Sequence, residues 1–306
     1  MKWFLISFIA TFLWAIVNIV DNYLVSNFSE KEKERSSGGL VLFSSLIGLF
    51  IATVISIFVN NIFDIPILDI ILLFITGILT IVWVIFYLFT LEIEETSSVV
   101  PWFLAVPIFG YILGYFCLGE TLTLNQILGS IIIIFGLVIL SINFSGIGKK
   151  VKIKPILYMI FCCLIIAISG VIFKFVTIDG NFWVSSFWEY FGLGITGLFI
   201  FIFIPKYRRE FMHMNSKGGI KIFFLNVGSE ILTVSGNLLA NFALLLVPVT
   251  MVFLVESFQP AIVLCLTIFC TKFLPKIAKE NLSKRILIPK LIAILIMIFG
   301  SLILFL

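Results

Sequence analysis

Residues 36–60 read SSGGLVLFSSLIGLFIATVISIFVN, an apolar run without a single charged side chain. About 20 such residues in a helix cross the roughly 30 Å of hydrocarbon in a bilayer. The run opens a longer stretch, Ser36 to Gly148, that contains no Lys or Arg at all. Basic residues gather instead in four clusters: Lys31, Lys33 and Arg35; Lys149, Lys150, Lys152 and Lys154; Lys206, Arg208, Arg209, Lys217 and Lys221; and Lys272, Lys276, Lys279, Lys284, Arg285 and Lys290. Only Lys2 and Lys174 of the 20 basic residues lie outside them. Charge sorted into islands between long apolar runs is the pattern of a polytopic membrane protein, whose basic loops stay in the cytoplasm.

Composition agrees. Hydrophobic residues make up 61% of the chain and charged residues 12%, against about 45–50% and about 25% in soluble domains. Mean hydropathy is +1.25. The net charge of +4 sits beside the membrane, where it suits anionic lipid headgroups and gives no reason to expect nucleic acid. Cys117, Cys162, Cys163, Cys265 and Cys270 all fall in apolar runs without a CxxC pair. They read as small buried hydrophobes, so neither a disulfide framework nor a metal site is expected.

Ten spans are predicted, at 3–25, 39–59, 67–90, 97–118, 122–143, 155–176, 182–204, 219–246, 248–271 and 287–306. The first exceeds the 7–15 residues of a signal-peptide core and lacks a clean small-x-small cleavage site, so it reads as a retained span. Backbone groups in hydrocarbon must bond within their own segment, and the runs are too long and too uniformly apolar for barrel strands. The fold class is therefore an all-α integral membrane protein.

The two halves resemble each other. Phe89-x-Leu91 and Pro107 recur at a constant offset as Phe242-x-Leu244 and Pro260, and the segment Gly129–Gly136 is echoed by Ala293–Gly300. Ala15-Ile16 aligns more weakly with Ala167-Ile168. Five spans per half is an odd number, so the second half must be inverted relative to the first. Equivalent loops should then carry opposite basic content. The loop after span one is basic and its partner after span six is not; the loops after spans two and four lack basic residues, while their partners after spans seven and nine are rich in them. The expected architecture is ten transmembrane helices as two inverted five-helix repeats, residues 1–148 and 149–306.

These residues resemble the EamA-type transporters of the drug/metabolite transporter superfamily, over essentially the whole chain. The sharpest part is Pro107, Leu118-Gly119-Glu120, then Gly129 and Gly136, the block that closes each repeat in that family. The second copy departs from it, with Lys272-Phe273 where Gly-Glu would stand, while Pro260 and Gly300 remain. The resemblance implies a carrier of a small solute, from amino acids to drugs and other metabolites.

Ionisable groups inside spans are costly and usually face a cavity or a partner. Span one carries Ser7, Thr11, Trp14, Asn18, Asp21 and Asn22 at steps of three or four, which puts them on one helix face. Span eight repeats the pattern with Asn226, Glu230, Thr233, Asn237 and Asn241; Glu189 follows Trp188 in span seven, Glu256 and Gln259 lie in span nine, and Lys174 lies in span six. The functional reading is a wet central cavity in which Glu189, Glu230 and Glu256 bind substrate or carry protons and Lys174 receives an anionic group. The structural alternative is interhelical hydrogen bonding, with Lys174 paired to a carboxylate and Asp21 interfacial. Trp14, Trp83, Trp102 and Trp188 are second-tier candidates for stacking on a substrate, although aromatics near span ends also form the interface belt. Glu120 is expected to cap span five, and Gly110-x-x-x-Gly114 to permit a close helix contact. Glu92, Glu94 and Glu95 form an acidic turn, and Pro101, Pro107, Pro248 and Pro260 are candidate kinks.

His213, the only histidine, lies in a basic segment, and no HExxH, P-loop or Ser-His signature is present. Gly146-Ile147-Gly148-Lys149-Lys150 lacks the spacing of a phosphate loop. ATP-driven transport and catalysis are not expected, and no cofactor is implied. The expected function is secondary transport of a small polar or amphipathic metabolite by alternating access, with protons as a possible coupling ion, in a multi-pass cell-membrane protein. A membrane enzyme acting on a lipid-borne substrate and a passive channel or accessory subunit are the alternatives. The positive-inside rule predicts cytoplasmic clusters and both termini outside; members of the resembled family place both termini inside.

Overall fold

A computed structural model describes residues 2–28, 38–93, 102–103, 105–141, 153–274 and 284–303. The basic residues Lys31–Arg35, Lys149–Lys152 and Lys276–Lys279, the acidic Glu94 and Glu95, Pro101 and the Asn22 side chain lie outside what it describes. The described residues form helices without a strand: α1 (Lys2–Phe28), α2 (Gly38–Phe58), α3 (Ile67–Ile93), α4 (Ala105–Leu118), α5 (Leu124–Ser141), α6 (Ile153–Thr177), α7 (Phe182–Phe203), α8 (Pro205–Leu244), α9 (Val249–Glu256), α10 (Gln259–Phe273) and α11 (Lys284–Ile303). Among the described residues, seven stretches are long and apolar enough to cross a membrane, and three further apolar helices, Ala105–Leu118, Leu124–Gly136 and Leu287–Ile303, are shorter. The exterior is apolar, with Phe116, Phe135, Leu295 and Phe299 exposed, while Asn18, Thr76, Ser186 and Asn226 are buried. That inversion of the soluble pattern is what lipid as solvent demands. The chain is an integral, multi-pass membrane protein.

Two expectations are corrected. The ninth apolar stretch is not one helix: Val249–Phe273 is interrupted at Ser257 and Phe258, between α9 and α10. Pro260 is the cause, because it has no N–H to donate to the Glu256 carbonyl four residues back and its ring crowds that carbonyl. The basic segment from Lys206 to Lys221 is not a loop but the first half of α8, a helix of 40 residues. At 1.5 Å per residue it is about 60 Å long, twice the hydrocarbon thickness of about 30 Å, so the basic half extends beyond the membrane and Phe223–Leu244 is the membrane-crossing part.

Early helices pack on late ones. α5 lies against α11, α3 against α6 and α7, α2 against α7 and α8, α1 against α8, α9 and α10, and α4 against α6 and α9. Small residues set these distances. A Cβ on Gly48 of α2 would meet the Tyr190 carbonyl at 2.8 Å, and one on Gly197 of α7 would meet the Ser45 hydroxyl at 2.6 Å. One on Gly192 would lie 3.0 Å from the Phe74 Cα of α3. In lipid, where apolar burial gives helices little reason to associate, such close backbone approach supplies the packing energy. The α5–α11 contact is reciprocal: a Cβ on Gly136 would lie 2.9 Å from the Ala293 carbonyl, and one on Gly300 3.0 Å from the Gly129 carbonyl.

Candidate functional site

A cavity of about 210 Å³ opens between α1, α2, α3, α7, α8 and the α9–α10 break. Three carboxyls line it, each on a different element: Asp21 near the end of α1, Glu230 in the membrane-crossing half of α8, and Glu256 as the last residue of α9. Asn18, Trp14, Trp83, Asn226, Thr233, Asn237 and Gln259 also face it. Among the described residues, no Lys or Arg lines it.

Local hydrogen bonds orient these groups. The Ser44 hydroxyl of α2 donates to Glu230 Oε1, and the Ser229 hydroxyl stands 3.5 Å from Asp21 Oδ1. Trp14 Nε1 donates to Asn237 Oδ1 at 3.0 Å, and its ring lies over Gly236, where a Cβ would come within 2.9 Å of Cδ1. The Tyr87 hydroxyl donates to Asn18 Oδ1 at 3.3 Å, while Asn18 Nδ2 is buried without a hydrogen-bond partner. Glu256 has neither a hydrogen-bond nor an ion-pair partner among the described residues, because the helix break leaves its side chain facing the open space.

Several sequence candidates lie elsewhere. Lys174 does not line the cavity: its ammonium pairs with Glu120 Oε1 at 2.6 Å and donates to the Val247 carbonyl at 2.7 Å. The expectation that Glu120 caps span five is corrected too. Its Oε2 accepts from Val249 N–H at 2.8 Å and so caps the N-terminus of α9. α5 is capped by Thr123, whose hydroxyl accepts from Gln126 N–H at 3.3 Å while Gln126 Oε1 accepts from Thr123 N–H at 2.9 Å, a reciprocal capping box. Gly119, at φ 65°, turns the chain so that Glu120 N–H reaches the Gly114 carbonyl at 3.1 Å. Gly114 is small because Glu120 Oε2 would lie 2.7 Å from a Cβ there, and Gly110 because the Phe253 ring occupies the space.

Glu189 and Asn241 are likewise not among the lining residues; they satisfy each other, Asn241 Nδ2 donating to Glu189 Oε2 at 2.8 Å. Trp188 is buried in the α2–α3–α7 core with Nε1 donating to the Ile62 carbonyl at 3.0 Å. Trp102 is exposed, and its carbonyl accepts from the Cys163 thiol. In α1, Ser7 and Thr11 bond back to carbonyls four residues earlier in their own helix, so of the described side chains of that stripe Trp14, Asn18 and Asp21 reach the cavity. Sequence reasoning did not single out Ser44, Tyr87 or Tyr190, which also line it. Hydroxyls fit into apolar runs without a visible break, and only the helix partner reveals their use.

Residues 1–142 match the EamA-like transporter family, which bears out over that segment the resemblance carried by Pro107, Gly119-Glu120, Gly129 and Gly136. No curated protein matches the chain. Among solved structures, one described as "Crystal structure of protein" is 13% identical with a TM-score of 0.70, over 99% of this chain and 96% of that one. At that identity the likeness is one of fold.

Proposed function

We propose, from the match of residues 1–142 to the EamA-like transporter family, that this membrane protein is a secondary transporter working by alternating access through the central cavity. The observation that carries the reading is the placement of three carboxyls around one cavity at the meeting of early and late helices, Asp21 from one half and Glu230 and Glu256 from the other. In secondary transporters a midplane site at the repeat interface, built in part from discontinuous helices, is the recurring arrangement, and Glu256 and Gln259 flank such a break.

Ten spans in two inverted five-helix repeats, 1–148 and 149–306, go with this reading, α9 and α10 counting as one span. Pairing each span with the fifth one after it maps the helix contacts onto one another: α3–α6 corresponds to α1–α8, α3–α7 to α2–α8, and α4–α6 to the contact of α1 with α9 and α10. The α2–α7 and α5–α11 contacts map onto themselves, and the reciprocal Gly136–Ala293 and Gly300–Gly129 approaches are what a two-fold relation produces. Coupling to protons runs through Glu230 or Glu256 in this proposal, since a carboxyl out of water is a group that can take up and release a proton during a transport cycle. The family match gives no support to the membrane-enzyme alternative.

The test is counterflow in liposomes that contain only this protein. Saturable uptake of a labelled solute against its unlabelled form is expected, and non-saturable leak would replace the carrier with a channel. Glu230→Gln and Glu256→Gln are expected to abolish the pH dependence of that flux singly or together; flux with unaltered pH dependence in both would remove Glu230 and Glu256 from the proton-carrying role.

A further inference from the structure

We infer that the solute this cavity takes is an organic cation: a small protonated amine with an aromatic or apolar body and a polar group beside the amine. The inference rests on the transporter reading only for the word solute; the chemistry comes from the cavity. Asp21, Glu230 and Glu256 bring three carboxyls to it, and among the described residues no lining Lys or Arg balances them. The buried Lys174 is occupied by Glu120 and Val247. Carboxyls in a low-dielectric site need a partner, and one positive charge entering the cavity would offer it. An anion would meet three acids and, among the described residues, no base.

A second, independent observation points to a ligand. Asn18 is 8% exposed, lines the same cavity, and its Nδ2 has no hydrogen-bond partner. Turning the amide about would satisfy Nδ2 from Tyr87 and orphan Oδ1 instead, so one polar atom of Asn18 is left open either way. A buried polar atom without a partner is costly, and a hydroxyl on the solute, which both donates and accepts, satisfies it in either orientation. The walls fit the rest. Trp14, Trp83 and Tyr87 line it, and aromatic rings attract an ammonium in a desolvated site and pack an apolar body.

Binding to the purified full-length protein in micelles, followed by calorimetry, tests this with four probes of one shape. Phenylalaninol carries the cation and the hydroxyl, 2-phenylethylamine the cation alone, phenylalanine a zwitterion, and 3-phenylpropionate an anion. Phenylalaninol is expected to bind saturably and at least about tenfold more tightly than phenylalanine or 3-phenylpropionate. Glu256→Gln, at a side chain with no partner among the described residues, is expected to weaken it about tenfold with an unchanged melting curve, and Glu230→Gln serves as the second variant. Asn18→Leu is expected to erase the preference for phenylalaninol over 2-phenylethylamine. Equal or tighter binding of the anion or zwitterion, absence of saturable cation binding, or full affinity in both Gln variants would overturn the assignment. Phenylalaninol binding without flux in liposomes would remove the transporter reading and leave the cation assignment standing; saturable flux of an anion would do the reverse.

Discussion

Replacing Lys174 with Met should destabilise the protein strongly, and replacing Glu120 with Gln in the same chain should restore part of the loss. The Lys174 and Glu120 side chains are 7% and 12% exposed and their charged atoms stand 2.6 Å apart. At an effective dielectric of about 20, that attraction amounts to roughly 6 kcal/mol, most of which offsets the cost of taking both ions out of water. Removing the ammonium leaves Glu120 with one hydrogen bond, from Val249 N–H, and leaves the Val247 carbonyl without its donor. Breaking such a buried pair costs about 3–5 kcal/mol, largely through the orphaned charge. In the double variant that charge is gone while an amide oxygen still accepts from Val249, so the loss should shrink by about 1.5 kcal/mol or more. Unfolding by titration with SDS in mixed micelles, for wild type, Lys174→Met, Glu120→Gln and the double variant, measures the coupling directly. Additive losses, with no recovery in the double variant, would refute the account of these three contacts as one unit joining α4, α6 and α9.

Three further outcomes are expected. Gly192→Val should weaken the α3–α7 contact by about 1–3 kcal/mol or prevent folding, because the new side chain meets the Phe74 backbone, which cannot rotate away; stability equal to wild type in the same titration would count against that contact. Gly119→Ala should cost about 1–2 kcal/mol through backbone conformation alone, since φ is 65° and nothing lies within 4 Å of a Cβ there; a loss nearer 4 kcal/mol would mean that the turn is packed. A C-terminal reporter active only in the cytoplasm should stay silent, since the basic half of α8 and the other clusters are expected inside; activity would mean that the topology runs against its charge.

How much of this was legible beforehand can be followed residue by residue. The apolar runs marked the membrane-crossing helices because lipid requires every backbone group to be satisfied within its own segment, a constraint local enough to read from a string of letters. Pro260 announced a disturbance in the ninth run for the same reason, since the N–H it lacks is a property of one residue. The stripe through Asn18 and Asp21, and that through Glu230 and Asn237, followed from helical periodicity. What periodicity cannot say is which polar residue meets another helix and which meets open space. Lys174 and Glu256 look alike in the sequence, each a charge in an apolar run, yet one is held by Glu120 and the other lines the cavity. Glu120 stands four positions before α5, the helix it was expected to cap, and in the structure it caps α9, far along the chain. Helix existence is set by neighbours in sequence, which the chain carries openly. The partner of each polar group is set by helix packing, which depends on where small residues such as Gly48, Gly192 and Gly300 let backbones approach, and only the assembled bundle decides that.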